Sequence, residues 1–243
     1  MDEREYQLMD AAEGGMWWYR ALHARLVAAL AGVSGRVLDA GCGTGGFLTA
    51  LGKARPELAR DGLEFDAGAA IRAQAKSAAH VARGSVNALP YADASFDAVV
   101  SADVLCHSAV APRRALADLG RVLKPGGQLV LNLPAYQWLS SAHDRRVHNA
   151  RRFTAGQVRA MLEAAGFNAI SITYWNSVLL PLMIVQRKLL ARDDAESDVA
   201  PFPPWLDAIF HAITAAEAHL PFRLPAGGSI LAIAHRPVSE PPA

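Results

Sequence analysis

Asp39, Gly41, Gly43 and Gly45 alternate through Val37-Leu38-Asp39-Ala40-Gly41-Cys42-Gly43-Thr44-Gly45-Gly46, where an apolar run passes through an acid into a glycine turn. Glycine lets the backbone bend sharply and come close to a ligand, and a helix starting near Phe47 would aim its first amides at that ligand. The spacing Gly41-x-Gly43-x-x-Gly46 satisfies the dinucleotide fingerprint. Asp39 argues against a pyrophosphate there, because its carboxylate repels phosphate and suits a cationic ligand. Glu64, in Gly62-Leu63-Glu64-Phe65-Asp66, follows the turn by about 20 residues, the position from which a carboxylate holds a ribose diol. That position serves nicotinamide-binding and adenosyl-binding sheets alike. Cys42 and Cys106 form neither a disulfide framework nor a metal site by spacing, and are expected reduced beside the ligand pocket.

The elements that must position these groups follow from periodicity. Residues 3 to 31 read as one or two covering helices, with Trp17, Trp18, Leu22, Leu26, Val27 and Leu30 as an apolar stripe. Strands are expected near 36–40, 61–65, 80–83, 97–101 and 128–133, alternating with helices, which gives a parallel sheet covered on both faces. Lys124-Pro125-Gly126-Gly127 should end a helix and turn the chain. A helix over 154–165 closed by Gly166, a strand at 170–174 and a last strand at 229–235 complete the series. The roughly 50 residues between those two strands should build a lid: an apolar helix over Val178–Val185, an acidic, proline-containing linker over 191–204, and a further helix over 205–219. The apolar stretch could pack in the protein, cover a greasy substrate or touch a membrane surface.

The glycine turn and Glu64, taken with Ala88-Leu89-Pro90-Tyr91 through His107 and with Arg121 through Ala135 in that order, resemble class I S-adenosylmethionine-dependent methyltransferases. The resemblance covers residues 35 to 136 and is nearest to the small-molecule branch that includes ubiquinone- and menaquinone-pathway enzymes. It implies a Rossmann-like doubly wound α/β fold with a seven-stranded sheet, parallel with one antiparallel strand, helices on both faces and a helical cap. One domain is expected, with an N-terminal cap over 1–34, a cofactor-binding core over 35–136, and a substrate-side segment over 137–243 whose helical insertion spans about 176–226.

The resemblance also assigns roles. Asp39, Gly41 and Gly43 should surround the methionine part of S-adenosylmethionine, Glu64 should bind both ribose hydroxyls, and Phe65 should cover one adenine face. Gly84–Pro90 matches the adenine loop, but Ser85 stands where an acid usually accepts the adenine amino proton; Ser85 and the Val86 amide remain able to meet the ring. Asn87 is either a participant or a turn residue. Asp103 lies near the sulfonium or caps a helix, and Cys106 and His107 enter the cleft. Tyr19 or Arg20 would touch the cofactor carboxylate. Because the donor carries an activated methyl group, few catalytic side chains are needed; His107, His143 and His148 are the candidate bases for a hydroxyl acceptor, with Asp144 to orient one of the latter two.

The acceptor expected from this branch is small or lipid-like, with oxygen slightly favoured. Lys plus Arg number 24 against 23 for Asp plus Glu, so no basic footprint for nucleic acid is present. Four acids in the first ten residues speak against a leader, and apolar runs are too short to span a membrane, so a cytoplasmic protein is expected, with peripheral membrane contact left open and the oligomeric state unassigned. His143, Asp144 and His148 match no metal-ligand spacing; arginines at 145, 146, 151 and 152 leave open an anionic group on the substrate. Asn132-Leu133-Pro134-Ala135-Tyr136 looks like an amino-methyltransferase motif but sits on the wrong strand. A nicotinamide oxidoreductase would need a Tyr-x-x-x-Lys pair, which is lacking, and a non-catalytic cofactor-binding subunit is the remaining alternative.

Overall fold

In a computed structural model that describes residues 3–187 and 202–238, seven strands form one sheet in the order β3-β2-β1-β4-β5-β7-β6. They are β1 (Arg36–Ala40), β2 (Ala59–Glu64), β3 (His80–Arg83), β4 (Phe96–Ala102), β5 (Leu123–Pro134), β6 (Asn168–Trp175) and β7 (Ser229–His235). β1 to β5 run parallel, while β7 lies antiparallel to both β5 and β6. The strands are apolar on both sides because both sides are covered. Leu38, Val99, Leu129 and Leu131 face one core with Leu116 and Leu119 from α5 (Pro112–Val122) and Val158 and Leu162 from α7 (Ala155–Ala164). Val37, Ala98, Val100 and Val130 face the other, with Leu22, Leu26, Phe47 and Leu51 from α2 (Trp17–Ala29) and α3 (Gly46–Ala54).

The connections β1-α3-β2 and β2-α4-β3, with α4 at Ala67–Ser77, fan out from β1 in one direction, and β4 and β5 in the other. Strand order therefore reverses between β1 and β4, which opens a crevice at the carboxyl ends of those strands. Asp39, Glu64 and Asp103 lie at or just beyond those ends.

Of the one or two helices expected over residues 3 to 31 there are two, α1 (Glu3–Ala12) and α2, broken at Gly14-Gly15. One local expectation is corrected. Lys124–Gly127 does not follow a helix as a free turn: α5 ends at Val122, Leu123 already pairs with Phe96, and the next partners are Ala98 and Gln128, so these residues bulge out of β5. The insertion yields α8 (Leu180–Val185) and α9 (Pro204–Glu217), while its acidic linker lies for the most part outside the described residues. Among the described residues no helix is long and apolar enough to cross a membrane.

α9 is tied to α2 across the chain. Arg20 Nη2 meets Asp207 Oδ2 at 2.5 Å, Arg25 Nη2 donates to the Thr214 carbonyl at 2.7 Å, and Trp17 meets Phe210 edge-on at 5.6 Å between centroids. These contacts set a helical wall over the crevice.

Candidate active site

The crevice deepens into a cavity of about 950 Å³, near the top of the range of roughly 300–1,000 Å³ typical of small-molecule sites. One end is polar, built from the strand ends; the other is apolar, built from Trp17, Leu179, Leu182, Met183, Leu206 and Phe210 of the helical wall.

At the polar end, the amides of Gly41 and Cys42 both donate to the Leu63 carbonyl, at 2.8 and 3.0 Å, which ties the glycine turn to the end of β2. Gly41 has φ +94°, and a Cβ there would lie 2.3 Å from Val104 Cγ2, so only glycine fits. The Gly43 amide donates to Glu64 Oε2 at 2.9 Å and the Asp66 amide to Glu64 Oε1 at 2.9 Å. Glu64 is thus buried yet satisfied, with Oε1 also receiving the Tyr6 hydroxyl from α1 at 3.1 Å. Asp39 is different: it is 3% exposed and receives none of the side-chain hydrogen bonds found among the described residues. Burial, then the negative charges of Glu64 and Glu13, push its carboxyl up to about 8.

Glu13 lines the same cavity and pairs with Lys76 at 2.5 Å and with Thr44 Oγ1 at 2.7 Å, so α1 roofs the site and adds a further acid. Sequence reading missed Tyr6, Met9 and Glu13. Their spacing of three and four residues puts them on one helix face, a signal masked by reading the acids of this stretch only as evidence against a leader.

Phe65 is 72% exposed at the cavity rim, Val86 is buried, and Ser85 Oγ accepts from the Asn87 amide at 3.2 Å. Asn87 itself bridges two loops, donating to the Ala109 carbonyl and accepting from the Ala111 amide, both at 2.9 Å, which makes it a tie rather than a ligand. Asp103 caps no helix. It has φ +54° directly after β4, lines the cavity, and accepts from Asn132 Nδ2 at 3.0 Å, while Asn132 Oδ1 accepts from Trp175 Nε1 at 2.8 Å. Burial raises its carboxyl to about 7 against the opposing Asn132 hydrogen bond.

Of the histidines, His107 and His148 line the cavity. His107 is held below the ordinary imidazole range by burial, so it is neutral and able to accept a proton at pH 7. His148 is exposed, with φ +59°. His143 belongs to the short helix α6 (Ala142–Arg146), and its side chain lies outside the described residues. Asp144 makes no described contact with His148; its two oxygens receive Arg152 Nε and Nη2 at 2.9 to 3.2 Å. Arg151 donates to the carbonyls of Leu105, His107 and Val110, at 2.7 to 3.1 Å. These two arginines hold the protein together rather than present a phosphate site. Cys106 faces away from the cavity, its thiol on Asn149 Oδ1 and the Asp103 carbonyl, whereas Cys42 lines it. Tyr19 lines the cavity, but Arg20 is outside the lining and engaged by Asp207, so the contact expected of it with a cofactor carboxylate has no counterpart.

Residues 38–131 match the family described as "Methyltransferase domain". Over that span the chain is similar to methyltransferase domains. A demethylmenaquinone methyltransferase of Deinococcus radiodurans is 39% identical over 119 residues, 47% of this chain and 48% of that one. A mouse protein named "Probable tRNA methyltransferase 9B" is 32% identical over 112 residues, 45% of this chain and 23% of that one. The chain therefore spans less than half the length of either relative. A solved S-adenosylmethionine-dependent methyltransferase of Archaeoglobus fulgidus superposes with a TM-score of 0.62 at 18% identity, covering 96% of this chain and 100% of that one, which shows the shared fold. The donor set fits S-adenosylmethionine: a buried carboxylate that receives no side-chain hydrogen bond among the described residues suits its cationic methionine end, and an exposed ring at the rim suits a base. A dinucleotide would set its pyrophosphate against Asp39, Glu64 and Glu13.

Proposed function

We propose that this methyltransferase transfers the methyl group of S-adenosylmethionine to an oxygen of a small, lipid-like acceptor held in the apolar half of the cavity. The observation that carries the reading is the junction, within one cavity, of an acidic strand-end crevice and an apolar compartment. When bound, S-adenosylmethionine supplies an electrophilic methyl group. Asp39 receives its ammonium end, with Gly41, Gly43 and Tyr19 around the methionine part; Glu64 receives the ribose hydroxyls; Phe65 lies on the adenine, with Ser85 and Val86 at its edge. Asp103 carries negative charge toward the sulfonium side. His107, neutral and half enclosed, takes the proton of an acceptor hydroxyl, and His148 borders the same space. The near-equal charge balance and the greasy wall favour a small molecule over a nucleic acid. Outward-facing Val178, Val185 and Trp205 on the lid suit delivery of such an acceptor from a lipid surface, by peripheral contact.

Titration calorimetry with S-adenosylmethionine, S-adenosylhomocysteine and the nicotinamide nucleotides tests the cofactor reading; binding of the adenosyl pair alone is expected, and preferential binding of a nicotinamide nucleotide would refute it. Glu64→Gln should weaken S-adenosylmethionine binding by about 1–3 kcal/mol and behave no better than Glu64→Ala. Each carboxylate oxygen already accepts a backbone amide, so the variant's NH2 group must face one of those donors. Affinity in Glu64→Gln equal to the parent's would exclude the ribose role. His107→Ala should lower turnover about a hundredfold with the cofactor Kd unchanged; loss of cofactor affinity instead would make His107 structural.

A further inference from the structure

Asn176 follows β6 directly, at the point where the chain leaves the sheet to build the lid, and has φ +57°. Its side chain is fully buried and lines the cavity, yet among the described residues neither Oδ1 nor Nδ2 has a hydrogen-bond partner. Met183 of the lid and Gly228, just before β7, lie close to it. Gly228 leaves the amide a clear approach: a Cβ there would sit 3.4 Å from Asn176 Nδ2 and 2.6 Å from Met183 Cε. Its amide donates to the Asn176 carbonyl at 3.2 Å, which fixes the asparagine backbone. Trp17 Nε1, on the same lining, is a second buried donor without a partner.

A buried carboxamide with both ends unmade costs roughly 1–3 kcal/mol for each unpaired group. Nothing in the local packing repays it, and an apolar side chain would fill the same space. The left-handed backbone permits asparagine without demanding an amide, since glycine fits there equally well.

We propose that Asn176 is the residue that selects the acceptor, by hydrogen bonding an uncharged hydroxyl-bearing head on an otherwise apolar molecule. This rests on the reading of the cavity as a methyltransferase site with an apolar acceptor compartment. A neutral amide in a greasy enclosure does not offset the desolvation of an ion, so the head is a phenol- or alcohol-type hydroxyl rather than a carboxylate, phosphate or ammonium. The amide supplies both a donor and an acceptor to such a group.

The test uses the full-length protein saturated with S-adenosylhomocysteine and two matched probe pairs, 2-naphthol with naphthalene and 4-hexylphenol with hexylbenzene, with 2-naphthoate as the charged control. Binding is read by calorimetry. The parent should bind each hydroxylated probe about fivefold or more tightly than its hydrocarbon, and should reject 2-naphthoate. In Asn176→Gly, which suits the backbone angle, that preference should fall to near unity while hydrocarbon affinity and the S-adenosylhomocysteine Kd stay as in the parent. Equal affinity within each pair in the parent, an unchanged preference in Asn176→Gly, binding of 2-naphthoate, or no binding of any probe overturns the inference. Failure of the parent to bind S-adenosylhomocysteine would instead overturn the cofactor reading on which it rests.

Discussion

Replacing Asp39 by asparagine is expected to raise the stability of the ligand-free protein and to weaken S-adenosylmethionine binding, two opposite effects of one side chain. Its carboxyl is pushed up to about 8, first by burial and then by Glu64 and Glu13, against about 3.9 for an unfolded aspartate. A raised folded-state value means that the folded protein keeps a proton which the unfolded chain releases. The cost of this acid therefore grows from about pH 4 upward and is complete above about pH 8. At pH 7.5 it is on the order of 5 kcal/mol, which the amide does not carry. Scanning calorimetry should place Asp39→Asn above the parent at pH 7.5 and closer to it at pH 5. The same exchange removes the charge that faces the ammonium group, worth roughly 1.5–3 kcal/mol, so affinity should fall about tenfold to a hundredfold. A stabler variant with unchanged affinity would take Asp39 out of the site. A less stable one would mean that the carboxylate is satisfied in the ligand-free protein.

Arg152→Met should cost about 3–5 kcal/mol of stability. Arg152 and Asp144 are 9% and 1% exposed, and removing the guanidinium leaves a buried carboxylate that keeps, among the described residues, the Ser141 amide and hydroxyl, Asn149 and the more distant Arg187. Burial alone would raise the Asp144 carboxyl, but Arg152 and the hydrogen bonds outweigh it and hold the group below the ordinary carboxylate range. A depressed folded-state value contributes stability that is present above about pH 4 and is lost as pH falls through the folded value. The gap between Arg152→Met and the parent in urea denaturation should therefore narrow in acid below about pH 4. The double variant Arg152→Met/Asp144→Leu should recover part of the loss. Unchanged stability together with a selective loss of affinity for anionic ligands would restore the phosphate-site reading of these arginines.

The parts of the site that could be read from sequence are those fixed by neighbours in the chain. Asp39, the glycine turn and Glu64 each sit where an apolar strand ends, and a parallel sheet brings such ends together whatever the rest of the chain does. Arg151, Arg152 and Asp144 were misjudged for the opposite reason: charged residues side by side look solvent-facing, and only the packing of the segment after β5 turns them inward onto carbonyls and one another. The same holds for Asp103, whose left-handed conformation comes from the β4 exit rather than from any residue pattern. Lys124–Gly127 was misplaced because proline and glycine suit a free turn and a bulge alike. Tyr6 and Asn176 reach the cavity through tertiary docking of α1 and the lid, which leaves no local trace beyond helical spacing in the first case and none in the second.

The clasp between α2 and α9 joins residues separated by 187 to 190 positions. Every side chain proposed to hold the cofactor lies before β5, so on the ribosome that half of the cavity can be assembled from the earlier part of the chain. The acceptor half waits for the later part of the chain, because the Trp17 end of α2 has no α9 to pack on until that helix emerges. A nascent chain stalled before α9 would leave Trp17 without Phe210 to pack on, and the apolar compartment would form after the polar one.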